Sequence, residues 1–101
     1  IAHQLQRTPL LIGDGERIIR RLAWCSGAAQ DYLAQAVALE VDAYISGEIS
    51  ESTVHLTREM NIAYIAAGHH ATERGGVAAL GQHLATKFNL THTFIDVPNP
   101  A

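Results

Sequence analysis

What most constrains the fold of this chain is a succession of short apolar runs, each followed by a glycine-containing corner and a helical stretch. Leu22-Ala23-Trp24-Cys25 leads into Ser26-Gly27-Ala28. Asp42-Ala43-Tyr44-Ile45-Ser46 leads into Gly47-Glu48, and Ile62-Ala63-Tyr64-Ile65-Ala66 leads into Ala67-Gly68. Runs this short and this continuously apolar suit strands buried on both faces, and helices of ten or more residues between them suit parallel crossovers. The expected fold class is α/β, a mainly parallel sheet with helices on both faces. Crossovers in such sheets are right-handed.

The expected elements run strand, helix, strand, helix, strand, helix, strand. Strands are predicted over Ile19–Cys25, Asp42–Ser46, Ile62–Ala66 and Thr91–Val97. An Ala-rich helix over Ala29–Leu39 places Tyr32, Leu33, Ala36 and Val37 on one side. Ser50 reads as an N-cap and Glu51 suits the positive end of the helix dipole, so the second helix runs from there to about Met60. Asn61 is suited to the left-handed position after it. The longest helix spans His70 to about Phe88 and ends near Asn89. Gly13-Asp14-Gly15 reads as a turn, and Pro98-Asn99-Pro100 ends regular structure.

A chain of 101 residues makes one domain. With 48% apolar and 17% charged residues it is too apolar for disorder. Seven scattered Lys and Arg at a net charge of −3 leave no basic stripe for nucleic acid. No apolar run reaches the roughly 18 residues of a membrane span. The lone Cys25 excludes an internal disulfide and reads as a buried, inert thiol, which suits a reducing cytoplasm. The chain opens on Ile1-Ala2-His3-Gln4-Leu5-Gln6-Arg7, which reads as the tail of a helix, so residues 1–101 are expected to be a single α/β unit of a longer protein.

The chemistry concentrates in Gly68-His69-His70-Ala71-Thr72-Glu73-Arg74-Gly75-Gly76-Val77, where a helix opens directly after an apolar strand. His69 and Glu73 stand at i and i+4 on one helix face, about 5–6 Å apart at Cβ. An imidazole and a carboxylate so placed can share a metal ion. Ligands in open α/β sheets bind at the carboxyl ends of strands, where this helix begins. Spacing alone does not separate that reading from a helix-start His beside a surface Glu, and a metal site needs about three protein ligands. His70 points about 100° away. Both His residues are expected to be neutral at a helix N-terminus. Glu48 can reach the same crevice or be ordinary loop chemistry. Gly27 can belong to an anion cradle or, more simply, to a turn. Gly75 and Gly76 each cost about 0.8–1 kcal/mol inside a helix, so close packing or close approach of a ligand or partner is expected there. His3, His55, His83 and His92 have no partners at metal-ligand spacing. No nucleophile elbow or P-loop sequence is present.

Four segments together resemble the carboxyl-terminal part of the GTP cyclohydrolase 1 type 2 homologue family, including its bacterial YbgI-type members. They are Ala23-Trp24-Cys25-Ser26-Gly27, Val41 to Glu48, Ala67 to Gly76, and Phe94-Ile95-Asp96-Val97-Pro98-Asn99-Pro100. The resemblance implies a two-lobed, ring-forming homohexamer with two divalent metal ions per full-length subunit. It implies that His69 and Glu73 are metal ligands, Glu73 the bridging carboxylate, and that the other ligands lie in an amino-terminal part absent here. His and carboxylate donors suit Fe, Zn, Mn or Ni. The expectation is a metal-dependent, hydrolase-like protein acting on a nucleotide-like or phosphorylated substrate. The alternatives are a non-catalytic metal-binding assembly or regulatory module and a nucleotide- or anion-binding module. Cyclohydrolase activity does not follow from the family's name.

Overall fold

A computed structural model describes residues 1–101. Three parallel strands form its centre: β2 (Leu22–Cys25), β3 (Ala43–Ser46) and β4 (Ala63–Ala66). A fourth strand, β1 (Leu10–Ile12), pairs antiparallel with β4, so the sheet is mixed with order β1-β4-β3-β2. The sequence pattern contains no sign of β1. Three residues are too few to show a period, and the strand forms only because Leu10 meets Ala66 and Ile12 meets Tyr64 across the sheet.

The expected helices form, with shifted ends. The Ala-rich stretch divides into a 3-10 turn at Gln30–Tyr32 and a short helix, α2, at Leu33–Ala38. Helix α1 (Ala2–Leu5) is the short element at the start. Helix α3 (Glu51–Glu59) begins at a capping box: Thr53 N donates to Ser50 Oγ at 3.4 Å, and Ser50 N donates to Thr53 Oγ1 at 3.3 Å. It ends before Asn61, which takes the left-handed conformation at φ 50°. Helix α4 (His69–Phe88) is the longest and ends at Asn89, also left-handed at φ 51°.

The core lies on the sheet face that α2 and α3 cover. Leu33 and Ala36 of α2 pack with Tyr44, Ile62, Tyr64 and Ala66, and Leu56 of α3 closes the cluster. The Tyr44 and Tyr64 rings sit side by side at a centroid separation of 5.6 Å. Each phenol finds a partner, as buried hydroxyls must: Tyr44 donates to Ala29 O at 2.8 Å and Tyr64 to Glu48 O at 2.7 Å. Burial pushes the Tyr44 hydroxyl up to about 12.

The opposite face is flanked by α1 and the first turn of α4, which meet Trp24 and Ile45 around a cleft of about 350 Å³. Register places Leu11, Ile65, Ile45 and Trp24 in one row across all four strands of this face. Trp24 is nevertheless 71% exposed. Helix α4 then leaves the sheet with Val77, Leu80, Leu84 and Phe88 exposed. The radius of gyration is 15.7 Å, against about 13 Å for a compact chain of this length.

The predicted strand Thr91–Val97 does not form; residues 90–101 have no regular structure. A right-handed crossover after β4 would set the next strand beside β4, and β1 holds that position. Helix α4, about 30 Å long, carries the chain away, and the tail returns along it. Side chains hold it there. The His92 ring lies against Gly81, Asp96 pairs with Arg74 at 2.8 Å, and Arg7 donates to Pro100 O at 2.5 Å.

Candidate metal centre

Three strand-end corners converge because β2, β3 and β4 run parallel in register, with Cys25, Ser46 and Ala66 level. The corners are tied by backbone bonds. Gly47 N donates to Gly27 O at 3.0 Å and Gly68 N donates to Gly47 O at 2.9 Å. The approach at Gly47 is so close that a Cβ there would lie 2.6 Å from Gly27 O and 2.8 Å from His69 Cα.

His69 and Glu73 meet as expected. Nε2 of His69 lies 3.1 Å from Glu73 Oε2. That separation fits a hydrogen bond. It equally fits two donors sharing one ion, each about 2.0–2.2 Å from it. Gly27 makes room for Glu73: at φ +67° its missing Cβ would collide with Glu73 Oε1 and lie 3.0 Å from Glu73 Cδ. The donor chemistry therefore fits part of a metal site. It is not a complete one, since the chain gathers no group of three or more His, Cys, Asp or Glu arranged to hold an ion.

Glu48 reaches the crevice. Its Oε1 lies 2.6 Å from His69 Nδ1, on the ring edge away from Glu73. His69 therefore sits between two carboxylates. The hydrogen bond that His69 donates to Glu48 raises the His69 pKa, with burial opposing it and the Glu73 charge adding to it. At His69 these two carboxylates act against the neutral form that a helix N-terminus favours.

His70 turns away from His69, as the helix geometry requires, and lies 3.4 Å from Asp96 Oδ1 in the returning tail. Its backbone N donates to Ala101 O at 3.2 Å. At the Gly27 corner, Gly27 N donates to Thr72 Oγ1 at 3.0 Å, and Ala29 N donates to Gly27 O and Ser46 Oγ, so these two amides are occupied within the chain, as suits a turn. Thr72 carried no signal in the sequence beyond lying between His69 and Glu73. Nothing within the chain lies within 4 Å of a Cβ at Gly75 or Gly76, so the close-packing account of these glycines does not hold inside this chain. Cys25 is free and half-buried beside the core. His55 pairs loosely with Glu51 at 3.8 Å on the surface. No helix is long and apolar enough to cross a membrane.

Known proteins can be set beside this geometry. The Duf34/NIF3 (NGG1p interacting factor 3) family profile matches residues 1–100. A Pseudomonas aeruginosa protein named GTP cyclohydrolase 1 type 2 homolog is 60% identical over 96% of this chain and 38% of its own length. Its Escherichia coli K12 namesake is 49% identical over the whole chain and 41% of its own. The chain thus spans about two-fifths of the length of these relatives. Among solved structures, one titled protein ybgI, of unknown function, superposes with a TM-score of 0.94 at 48% identity, covering 99% of this chain and 41% of that one.

Proposed function

The chain belongs to the Duf34/NIF3 family, and on that premise we propose that it supplies His69 and Glu73 to a two-metal centre in a hydrolase-like protein. The observation that carries this reading is the 3.1 Å approach of His69 Nε2 and Glu73 Oε2 at the carboxyl end of β4. His69 offers one ring nitrogen. Glu73 offers two carboxylate oxygens and so can bridge two ions. The remaining ligands come from residues outside this chain, from the rest of a longer protein or from another subunit.

A bound pair of divalent ions, whether Fe, Zn, Mn or Ni, would supply activation of water and stabilisation of a leaving oxygen. The chain's own residues do the positioning. The Gly27 corner leaves space for the Glu73 carboxylate, and the first turn of α4 fixes the spacing of the two donors. This chemistry suits hydrolysis of a phosphorylated or nucleotide-like substrate. Self-association as a homohexameric ring is part of the same proposal. It is supported by the exposed Trp24 and Leu11 on the sheet and by the exposed apolar residues of α4.

The test is metal content of the full-length protein purified anaerobically, wild type beside His69→Ala and Glu73→Ala. About two ions per subunit in wild type, with loss in both variants, is the expected result. Equal metal content in all three would remove these residues from the centre. Any hydrolysis found with added metal should vanish in Glu73→Gln while the assembly persists.

A second reading is a non-catalytic assembly module with a structural metal. The exposed Trp24 and Leu11 on the sheet favour it. Dissociation of the assembly by a chelator, with no turnover on any phosphorylated substrate, would select it.

A further inference from the structure

We propose that Glu48 is the positioning carboxylate of the His69 ligand, holding the ring by its Nδ1 hydrogen so that Nε2 faces Glu73 and the metal. This rests on the metal-centre reading above. It adds a residue from a different strand-end corner with a different task.

The two ring nitrogens have distinct partners. Glu48 Oε1 is 2.6 Å from Nδ1 and Glu73 Oε2 is 3.1 Å from Nε2. An ionised carboxylate only accepts, so the bond to Glu48 requires the proton to sit on Nδ1. In the neutral ring the lone pair is then on Nε2, the atom beside Glu73. A ligating His commonly donates its other N–H to a carboxylate, which fixes its tautomer and orientation and makes it a better donor. Glu48 stands on the wrong edge of the ring to share an ion with Nε2, which separates it from Glu73 in function.

Glu48 is also built into place. Its neighbour Gly47 is pinned from both sides, donating to Gly27 O and accepting from Gly68 N. Its own carbonyl accepts from the core hydroxyl of Tyr64 at 2.7 Å. The absent side chain at Gly47 lets this corner press to within 2.8 Å of His69 Cα, measured from where a Cβ would stand. These bonds fix the backbone from which the Glu48 side chain reaches His69.

The experiment is chelator-competition titration of the metal-free full-length protein with Zn²⁺, comparing wild type, Glu48→Ala, Glu48→Gln, His69→Ala and the Glu48→Ala/His69→Ala double variant. Glu48→Ala should weaken Zn²⁺ binding by about 10–100-fold, the usual cost of losing such a partner, with the number of ions bound at saturation unchanged. Glu48→Gln should recover part of the loss, since its amide oxygen still accepts from Nδ1 but lacks the charge. Whatever binding survives in His69→Ala should be unchanged by adding Glu48→Ala. Heteronuclear spectra of the Zn²⁺-loaded wild type should place the His69 proton on Nδ1.

Wild-type affinity in both Glu48 variants would overturn the assignment and leave the metal-centre reading standing. A lower ion count in Glu48→Ala would overturn it by making Glu48 a ligand. A further loss in the double variant would overturn it by showing action independent of His69. Failure of wild type to bind Zn²⁺ would remove both readings. Should Glu48→Ala unfold, Glu48→Gln decides, because it preserves size and the acceptor.

Discussion

The backbone amide of Gly27 donates to Thr72 Oγ1 at 3.0 Å, joining the corner after β2 to the first turn of α4 across 45 residues of sequence. The same hydroxyl faces the carbonyls of Gly68 and His69 at 2.9 and 3.0 Å. One side chain thus holds the helix start that carries both candidate ligands against the corner that makes room for one of them.

Thr72→Val keeps the side-chain shape and removes the oxygen. The buried Gly27 amide would then lack a partner, at a cost of about 1–3 kcal/mol. Chemical denaturation of wild type and variant measures it. Equal midpoints and slopes would mean that water or another acceptor replaces Thr72.

Gly27→Ala meets two obstacles. A left-handed backbone costs a non-glycine residue roughly 1–2 kcal/mol, and the new methyl falls on the Glu73 carboxylate. The expected outcome is a lower melting temperature together with weaker metal binding, because Glu73 must swing away from His69. Unchanged metal affinity in a destabilised but folded variant would separate Glu73 from the proposed centre.

Asp42 gives a pH dependence with a definite sign. Its Oδ2 accepts from Arg21 N and Arg20 N, both at 2.8 Å, which fastens the approach to β2 onto the start of β3. These bonds, Arg21's first, hold its carboxyl below the ordinary value of 3.8. A depressed folded-state pKa contributes stability that is present above the unfolded value and is lost as pH falls through the folded one. Melting wild type and Asp42→Ala from pH 7 downward should therefore show a gap that holds to about pH 4 and narrows below it. A gap independent of pH would assign the effect to shape alone.

In the proposed assembly the row Leu11-Ile65-Ile45-Trp24 faces a partner subunit. Produced alone, the 101-residue chain should self-associate, and Trp24→Glu should shift it toward monomer in sedimentation. A wild-type chain that sediments as a compact soluble monomer would show that this face tolerates water.

The sequence by itself determined the alternation of strands and helices, the cap at Ser50, the left-handed stops at Asn61 and Asn89, and the pairing of His69 with Glu73. Each is local: a hydrogen bond within one turn, a backbone preference of one residue, or two side chains a helical turn apart. The tertiary structure alone decided the rest. Strand β1 exists because β4 offers an edge 54 residues later in the Leu11–Ile65 pairing, and the Thr91–Val97 stretch stays unpaired because β1 occupies that edge. Glu48 meets His69, and Gly27 meets Glu73, only because three parallel strands end level. Such meetings depend on register between segments far apart in the chain, and no periodicity within either segment encodes it.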